Sequence, residues 1–529
     1  MPNDCITYQE SGYYSKIIID YLNQSTTLQP LYNRFPSLEH FQNQIEEKAV
    51  NYNEQNRTNI VAVLNNQYEN IETTALVRDN INSLKKNNTF TITTGHQLNL
   101  FTGPLYFLYK IIATINLCKI LNIKYADQKF VPIYWMATED HDFEEINYFN
   151  FKDKKIKWSK NTAGPVGRLS TEGLDEVLLV LESQLGSSTN ATYLKNLFKK
   201  AYLEHNTLST ATQFLANELF KNEGLVVLDA DDVDLKKLMI PYLEDELLNQ
   251  SAFKTVSQTN ILLSNYDIQV TPREINLFFI EDNLRERIIY DDGIYKINNT
   301  KITFSKSQII DELHHNPEKF SPNVILRPLF QEIILPNLAY IGGGGEIAYW
   351  LQLQSTFKWH KITFPMLILR NSALLLSEKQ RNKIEKLQLS NADLFLPRSV
   401  LLNKKIKSLT TLPIDFSNQK QVLKTQFELL YAIALQTDAS FTGAVKAQEK
   451  KQLKGLANLE KRLLKAEKRV HETTLKRLAD LQESLFPNES LQERKQNFSE
   501  FYIEVGPKLI DIISKNLDPF SPYFSVITI

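Results

Sequence analysis

The first 88 residues carry apolar side chains at steps of three and four, in Tyr14–Leu22, Leu38–Tyr52 and Ile60–Leu84. That spacing gathers them on one face of a 3.6-residue turn and predicts amphipathic helices. The pattern then changes. Thr89–Thr93 is β-branched and aromatic and ends in Thr94-Gly95, which predicts a buried strand. Gly103-Pro104 opens a helix running to about Leu121, with proline near the first turn, where its missing N–H costs little. Phe130–Met136 is a second apolar run of strand length. Strand, loop, helix and strand in fewer than 50 residues make a βαβ unit, so a parallel sheet is expected. Leu225–Leu228, ending at Asp229, and Met366–Leu369, ending at Arg370, read as further buried strands. Leu277–Ile280 and Ile288–Tyr290, separated by charged residues, read as a hairpin. The mixed stretches at about 150–220 and 235–330 are expected as inserts beside the sheet.

From about Ser372 the pattern becomes helical again. Leu456, Leu459, Leu463, Ala466 and Val470 follow one another at steps of three and four, and after a stutter at Thr474 so do Leu478, Leu481 and Leu485. This is an a/d seam. Val422–Leu435 precedes it, with a break near Asp438–Gly443, which predicts an antiparallel helical hairpin. Residues 441–480 hold 11 Lys/Arg and 5 Asp/Glu. A solvated coiled-coil face accounts for that basic excess, with phosphate contact as the alternative.

The expected fold is therefore α/β, with a parallel-sheet core and a C-terminal α-helical coiled-coil domain. Its parts are a helical segment at 1–88, a core at 89–371, the coiled coil at 372–487, and a C-terminal helix and tail at 488–529 returning to the core. Composition narrows the function classes. With 43 % apolar and 11 % aromatic residues, disordered and collagen-like classes are excluded. A net charge of −1 gives no global field for nucleic acid. Two cysteines, Cys5 and Cys118, are too few for a disulfide framework or a four-cysteine zinc site. No secretory leader is visible. Asn87–Tyr109 lacks charged side chains, but Gly95, His96, Gln97, Asn99, Gly103 and Pro104 argue against a membrane span. A soluble, cytoplasmic protein is expected.

The chain has only 16 glycines in 529 residues, below the usual ~7 %, and four stand together at Gly342, Gly343, Gly344 and Gly345. Such a run permits close backbone approach, and a helix is expected to begin immediately after it at Glu346, with Tyr349 in its first turns. Thr94, Gly95, His96 and Gln97 follow the first parallel strand. With Gly103, Pro104, Tyr106 and Lys110 they are candidates to hold an anion at the carboxyl edge of the sheet. The alternative is a tight turn capping a core helix. Glu139, Asp140, His141 and Asp142 follow the second strand. They are candidates to bind Mg²⁺ (Asp140 and Asp142), to accept the charge of a substrate amine, or to act as a general base. Arg327 and Arg370 are weaker candidates for clamping a carboxylate or phosphate, with structural ion pairs as the alternative. Three function classes stay open on these residues alone: an enzyme of this kind, a nucleotide-binding coiled-coil scaffold without turnover, and a metal-dependent hydrolase using Glu139–Asp142.

TGHQLNLFTGPLYFLYK, VPIYWMATEDHDFEEIN, GLVVLDADD, LRPLFQEIILPNLAYIGGGGEIAYW and LIDIISKNLDPF occur in that order. Together they resemble the bacillithiol biosynthesis cysteine-adding enzymes, from about residue 75 to the end. The resemblance implies a Rossmann-like core related to nucleotidyltransferases, with connecting-peptide inserts and a coiled coil that supports a homodimer. It implies ligation of cysteine to glucosaminyl-malate as the activity. Two departures stand out. The family's TGQQ reads TGHQ here, with Leu98-Asn99 where proline and glycine are usual. The glycine turn before IAYW is filled by Gly344-Gly345 rather than ending in proline.

Joining a carboxylate to an amine is uphill in water, so the implied activity requires an activated carboxylate and hence ATP with Mg²⁺. In that reading the Thr94–Gln97 loop and the Gly103-Pro104 helix start hold phosphates. His96, Asp140, His141 and Asp142 are then the catalytic candidates, and Glu346 and the four glycines meet substrate. Thiol recognition by shape, without zinc, is expected.

Overall fold

A run such as TFTITTGH carries no acidic or basic side chain apart from its terminal histidine and is β-branched and aromatic, and a strand with both faces covered is what it forms. In the computed structural model, which describes residues 5–529, this run is strand β1 (Thr89–His96) at the centre of a five-stranded sheet. The other strands are β2 (Lys129–Met136), β3 (Val226–Asp229), β4 (Asn337–Gly342) and β5 (Met366–Leu369). The spatial order is β5-β4-β1-β2-β3, and every pairing is parallel. That is the doubly wound order, in which connections leave the centre in opposite directions. Between β1 and β4 the carboxyl ends of the strands therefore open a crevice.

The register at this centre is held by polar as well as apolar groups. Thr91 and Thr93 hydroxyls donate to Asn337 Oδ1, and Asn337 Nδ2 donates to Glu332 Oε1 at 2.6 Å. Glu332 Oε2 in turn meets Lys48 Nζ at 3.0 Å, with both side chains buried. One face of the sheet packs Phe90, Ile92 and Phe130 against Phe41 and Ile45 of the N-terminal helix His40–Asn51. Helix α1 (Tyr106–Lys124) covers the sheet and is buried along most of its length. It is the one helix among the described residues long and apolar enough to span a membrane, and 72 % of that stretch is buried in the protein.

The sequence pattern anticipates four of the five core strands. It missed β4, whose residues lie between a helix and the glycine run, and it joined the separate helices Gln55–Gln67 and Ala75–Ser83 into one. The first insert holds the helices Leu174–Leu185, Thr189–Leu203 and Leu208–Phe220. The second carries an antiparallel five-stranded sheet in which Leu277–Glu281 and Leu284–Asp291 form the expected hairpin.

The chain divides into two compact units. One comprises residues up to 375 together with 492–527 and 529; the other is 376–491 with Thr528. In the second unit, α4 (Ser417–Ala434) and α5 (Ala439–Val470) form an antiparallel hairpin. Phe427 and Ala434 pack on Val445, and Tyr431 donates to Glu449 at 2.9 Å. Asp438 caps α5 by accepting from the Phe441 amide. The stutter coincides with a break at His471, after which the helix Glu472–Leu485 buries Leu475, Leu478, Leu481 and Leu485. On the predicted seam Leu456, Leu463 and Ala466 are half-buried, whereas Leu459 and Val470 are exposed.

Candidate active site

A cavity of about 950 Å³ opens over the carboxyl ends of β1, β2, β4 and β5. This is the crevice where open α/β sheets bind ligands. From the β1 end it is lined by Gly95, His96 and Gln97, and from the β2 end by Trp135, Ala137, Asp140 and Asp142. Helix α1 contributes Tyr106 and Lys110. The β4 side contributes Gly343, Gly344, Gly345, Glu346 and Tyr349. Helix α2 (Arg327–Ile334) presents Arg327, and Arg370 follows β5. Sequence-distant candidates thus converge on one space. Gly95 lets Tyr340 pack closely, since a Cβ there would lie 3.2 Å from the Tyr340 hydroxyl and would push it back by a few tenths of an ångström.

Lys110 and Glu346 form the floor. Lys110 Nζ lies 2.5 Å from Glu346 Oε2 and donates to the Gly95 carbonyl at 2.7 Å. Glu346 also accepts from the Tyr340 hydroxyl at 2.6 Å and from the Gly343 amide at 2.8 Å. Burial pushes the Glu346 carboxyl up, but the Lys110 charge and these hydrogen bonds hold it below the usual carboxylate range. Glu346 therefore occupies the amino end of α3 (Gly344–Trp350) itself. The N-cap amide of that helix, on Gly343, is thus taken by the helix's own carboxylate.

His96 is buried, with its ring packed 5.3 Å from Tyr106 and 5.1 Å from Phe107. Its Nδ1 lies 2.7 Å from the Gln97 carbonyl, and its Nε2 has no hydrogen-bond partner among the described residues. Burial, and then the Lys110 charge, pull its pKa down to about 3. The ring is neutral and contributes no charge to a phosphate.

The β2 loop sets acids among guanidinium groups. Asp140 accepts from the His141 amide at 2.8 Å and from Gln97 Nε2 at 3.2 Å, and Gln97 also donates to Glu145 at 2.9 Å. Burial raises the Asp140 pKa, but the contact with His141 and the charges of Arg327 and Arg285 outweigh it and keep the carboxylate ionised. Arg285, on the insert hairpin, donates to His141 Nδ1 at 2.6 Å and lies 3.8 Å over the Phe278 ring. Burial, and then Arg327, lower the pKa of Arg285 to about 10. With Nδ1 accepting from Arg285, the neutral His141 ring carries its proton on Nε2, 3.8 Å from Asp142. Neither nitrogen is then placed to take a proton from an amine. Asp140, His141 and Asp142 lie close enough to share an ion. Asp140 and His141 are already engaged, however, so the exposed Asp142 is the carboxylate on offer. That arrangement suits Mg²⁺ carried in on phosphates with part of its water shell, not a fully caged ion.

Several candidates lie off the cavity wall. Thr94 is a strand residue donating to the Ile341 carbonyl, and Gly342 pairs with Leu369 in the sheet. Glu139 is buried against Lys236 at 2.8 Å, and Lys236 also meets Asp231 at 2.7 Å. Gly103 and Pro104 belong to a loop pinned from behind: Asn497 Nδ2 donates to the Phe101 and Gly103 carbonyls, and the Leu105 amide donates to Gln496. The expected phosphate seat at that helix start is therefore corrected, since its backbone groups are spent on the C-terminal segment. Arg370 lines the cavity, but its Nη2 is paired with the buried Glu493 at 2.6 Å. Arg327 differs, since its guanidinium has no hydrogen bond or ion pair among the described residues.

Sequence reasoning missed Arg285, Arg494, Gln269 and Val270. The last three line the cavity. Each comes from an insert or a loop whose local pattern carries no sign of the site; only the folded topology brings them to it.

The comparisons with known proteins agree along the whole chain. The family described as Bacillithiol biosynthesis BshC, N-terminal Rossmann-like domain, matches residues 1–371, and its C-terminal coiled-coil domain matches residues 373–529. A Flavobacterium johnsoniae protein called "Putative cysteine ligase BshC" is 60 % identical over 529 residues, covering 100 % of each chain. Proteins of the same name from Flavobacterium psychrophilum and Christiangramia forsetii are 59 % and 53 % identical, covering 100 % of this chain and 99 % of their own. With both domains matched in order, the chain belongs to the bacillithiol biosynthesis BshC family.

Proposed function

We propose that this protein is an amide-forming ligase that adds L-cysteine to glucosaminyl-malate through a carboxylate activated at the expense of ATP. The observation that carries the reading is that the cavity holds charge of both signs. Arg327 and Arg494 line it without hydrogen-bonded partners among the described residues, and the exposed Asp142 and Glu145 line it as well. Two cations without carboxylate partners suit the phosphates of a nucleotide or the carboxylates of malate. Exposed acids suit the ammonium of the incoming amine, and their contact with solvent gives its proton a way out. Asp140, kept ionised among arginines, orients Gln97 and the His141 loop. Mg²⁺ arriving with the phosphates would meet Asp142 and supply charge neutralisation there. The exposed Leu429, Ile433 and Leu435 of α4 and its end support pairing with a second copy through the coiled coil. A reduced cytoplasmic setting fits a thiol product.

The test is to mix the protein with cysteine, glucosaminyl-malate, ATP and Mg²⁺ and follow amide and nucleotide by mass spectrometry. The expected result is amide formed in step with AMP or ADP, reduced at least a hundredfold in Asp140→Asn at unchanged secondary structure. No amide across a range of metals and pH favours the non-catalytic scaffold and contradicts the proposal.

A further inference from the structure

Two cavity-lining side chains, His96 and Trp350, bury a ring nitrogen that has no hydrogen-bond partner among the described residues; an indole N–H only donates, so His96 is the one of the two that can accept. Its Nδ1 faces the Gln97 carbonyl at 2.7 Å, and a carbonyl only accepts, so Nδ1 carries the hydrogen. Tyr106 and Phe107 hold the ring on two sides. Nε2 is buried without a partner, and the residue is 6 % exposed. A second proton on Nε2 would create a buried cation beside the Lys110 ammonium, and the burial-lowered pKa of about 3 agrees with its exclusion. The unpaired ring atom of this cavity-lining residue therefore carries a lone pair. It attracts a donor hydrogen and repels the oxygens of a phosphate or carboxylate.

We propose that the His96 end of the cavity takes an uncharged hydroxyl or amine donor, of the kind carried by a sugar ring or a nucleobase, and turns phosphoryl and carboxylate groups toward Arg327 at the other side. This rests on the cavity being the substrate site of the proposed ligase, and it fixes the direction in which substrate lies there.

The full-length protein is titrated with three probes: adenosine, methyl glucosaminide and tripolyphosphate. His96→Phe removes the acceptor, and His96→Gln keeps one. The expected result is that His96→Phe weakens adenosine or methyl glucosaminide about tenfold, as for loss of one hydrogen bond. His96→Gln stays within about threefold of the parent, and tripolyphosphate is unchanged in both variants. The probe that weakens identifies the source of the donor. Weaker tripolyphosphate binding in His96→Phe, no change for any probe, or a parent protein that binds neither neutral probe overturns the proposal. Should His96→Phe fail to fold, the ¹⁵N resonance of Nε2 in the parent protein decides: it moves on adding a neutral probe, and movement with tripolyphosphate alone, or none, is contrary. None of these readouts needs turnover, so failure of the ligase reading is seen separately, as absence of amide.

Discussion

Lys110 Nζ and Glu346 Oε2 stand 2.5 Å apart, tying the helix that follows β1 to the helix that follows β4 across the sheet's switch point. Side-chain exposures of 6 % and 24 % mean that either partner left alone is a poorly solvated charge. Removing one partner of such a pair costs about 3–5 kcal/mol. Lys110→Met is expected to lose stability in that range by urea unfolding, and the double variant Lys110→Met/Glu346→Gln to recover part of it. Glu346 has a lowered pKa in the fold, so its contribution is present above the ordinary carboxylate range and is lost as pH falls through the lower, folded value. A double variant no better than the single would show that the pair is not coupled.

His96 makes stability depend on pH over a different window. Its folded pKa of about 3 lies below the ordinary ~6.5, so the unfolded chain binds the extra proton. The stabilising effect is complete above that ordinary value and declines as pH falls toward the folded one. Between pH ~6 and ~4 the parent should lose about 1.4 kcal/mol per pH unit more than His96→Gln. Unfolding curves collected across this range check the slope, and parallel curves for the two proteins would show that His96 is protonated in the fold.

Gly103 has φ +63°, and a Cβ there would sit 2.5 Å from Asn99 Cβ. Phe101 and Thr102 before it also have positive φ, and the loop keeps this shape because Asn497 holds two of its carbonyls. Gly103→Ala should therefore destabilise by more than ~1 kcal/mol. Asn497→Ala should open the 97–105 loop to proteolysis. Parent-like melting and cleavage in both variants would mean the loop holds itself.

The parallel strands and the helical hairpin were legible because burial on both faces writes a continuous apolar run, and a two-helix seam writes steps of three and four. The convergence of Gly95 and Asp140 was legible because a strand's carboxyl end in a parallel sheet has one place to go, whereas the strand leading to Gly343 was missed. What escaped was pairing at a distance. Nothing near Arg370 announces that Glu493 will neutralise it at 2.6 Å, or that Asn497 will take the carbonyls around Gly103. Arg285 escaped for the same reason, since it reaches His141 across 144 positions of chain. Local pattern reports which face is buried and not which charge is already spent.

Arg327, like Arg494, is a cavity cation without a hydrogen bond or ion pair among the described residues. Arg327→Met should weaken tripolyphosphate binding at least tenfold, with Arg327→Lys intermediate because it loses the two-pronged geometry. Arg370→Lys should instead lower stability, since Glu493 is fully buried. Calorimetric titration and melting on the same samples separate the two arginines. Equal effects on binding would contradict the division between a free and a structural guanidinium.

In the proposed ligation cysteine's carboxylate is activated before the amine attacks. Cysteine labelled with ¹⁸O in its carboxylate, incubated with the protein, glucosaminyl-malate, ATP and Mg²⁺, tests it directly. One labelled oxygen is predicted to appear in AMP or in inorganic phosphate for each amide formed. Amide formed without label in either product, or nucleotide cleaved with no amide, would contradict the account.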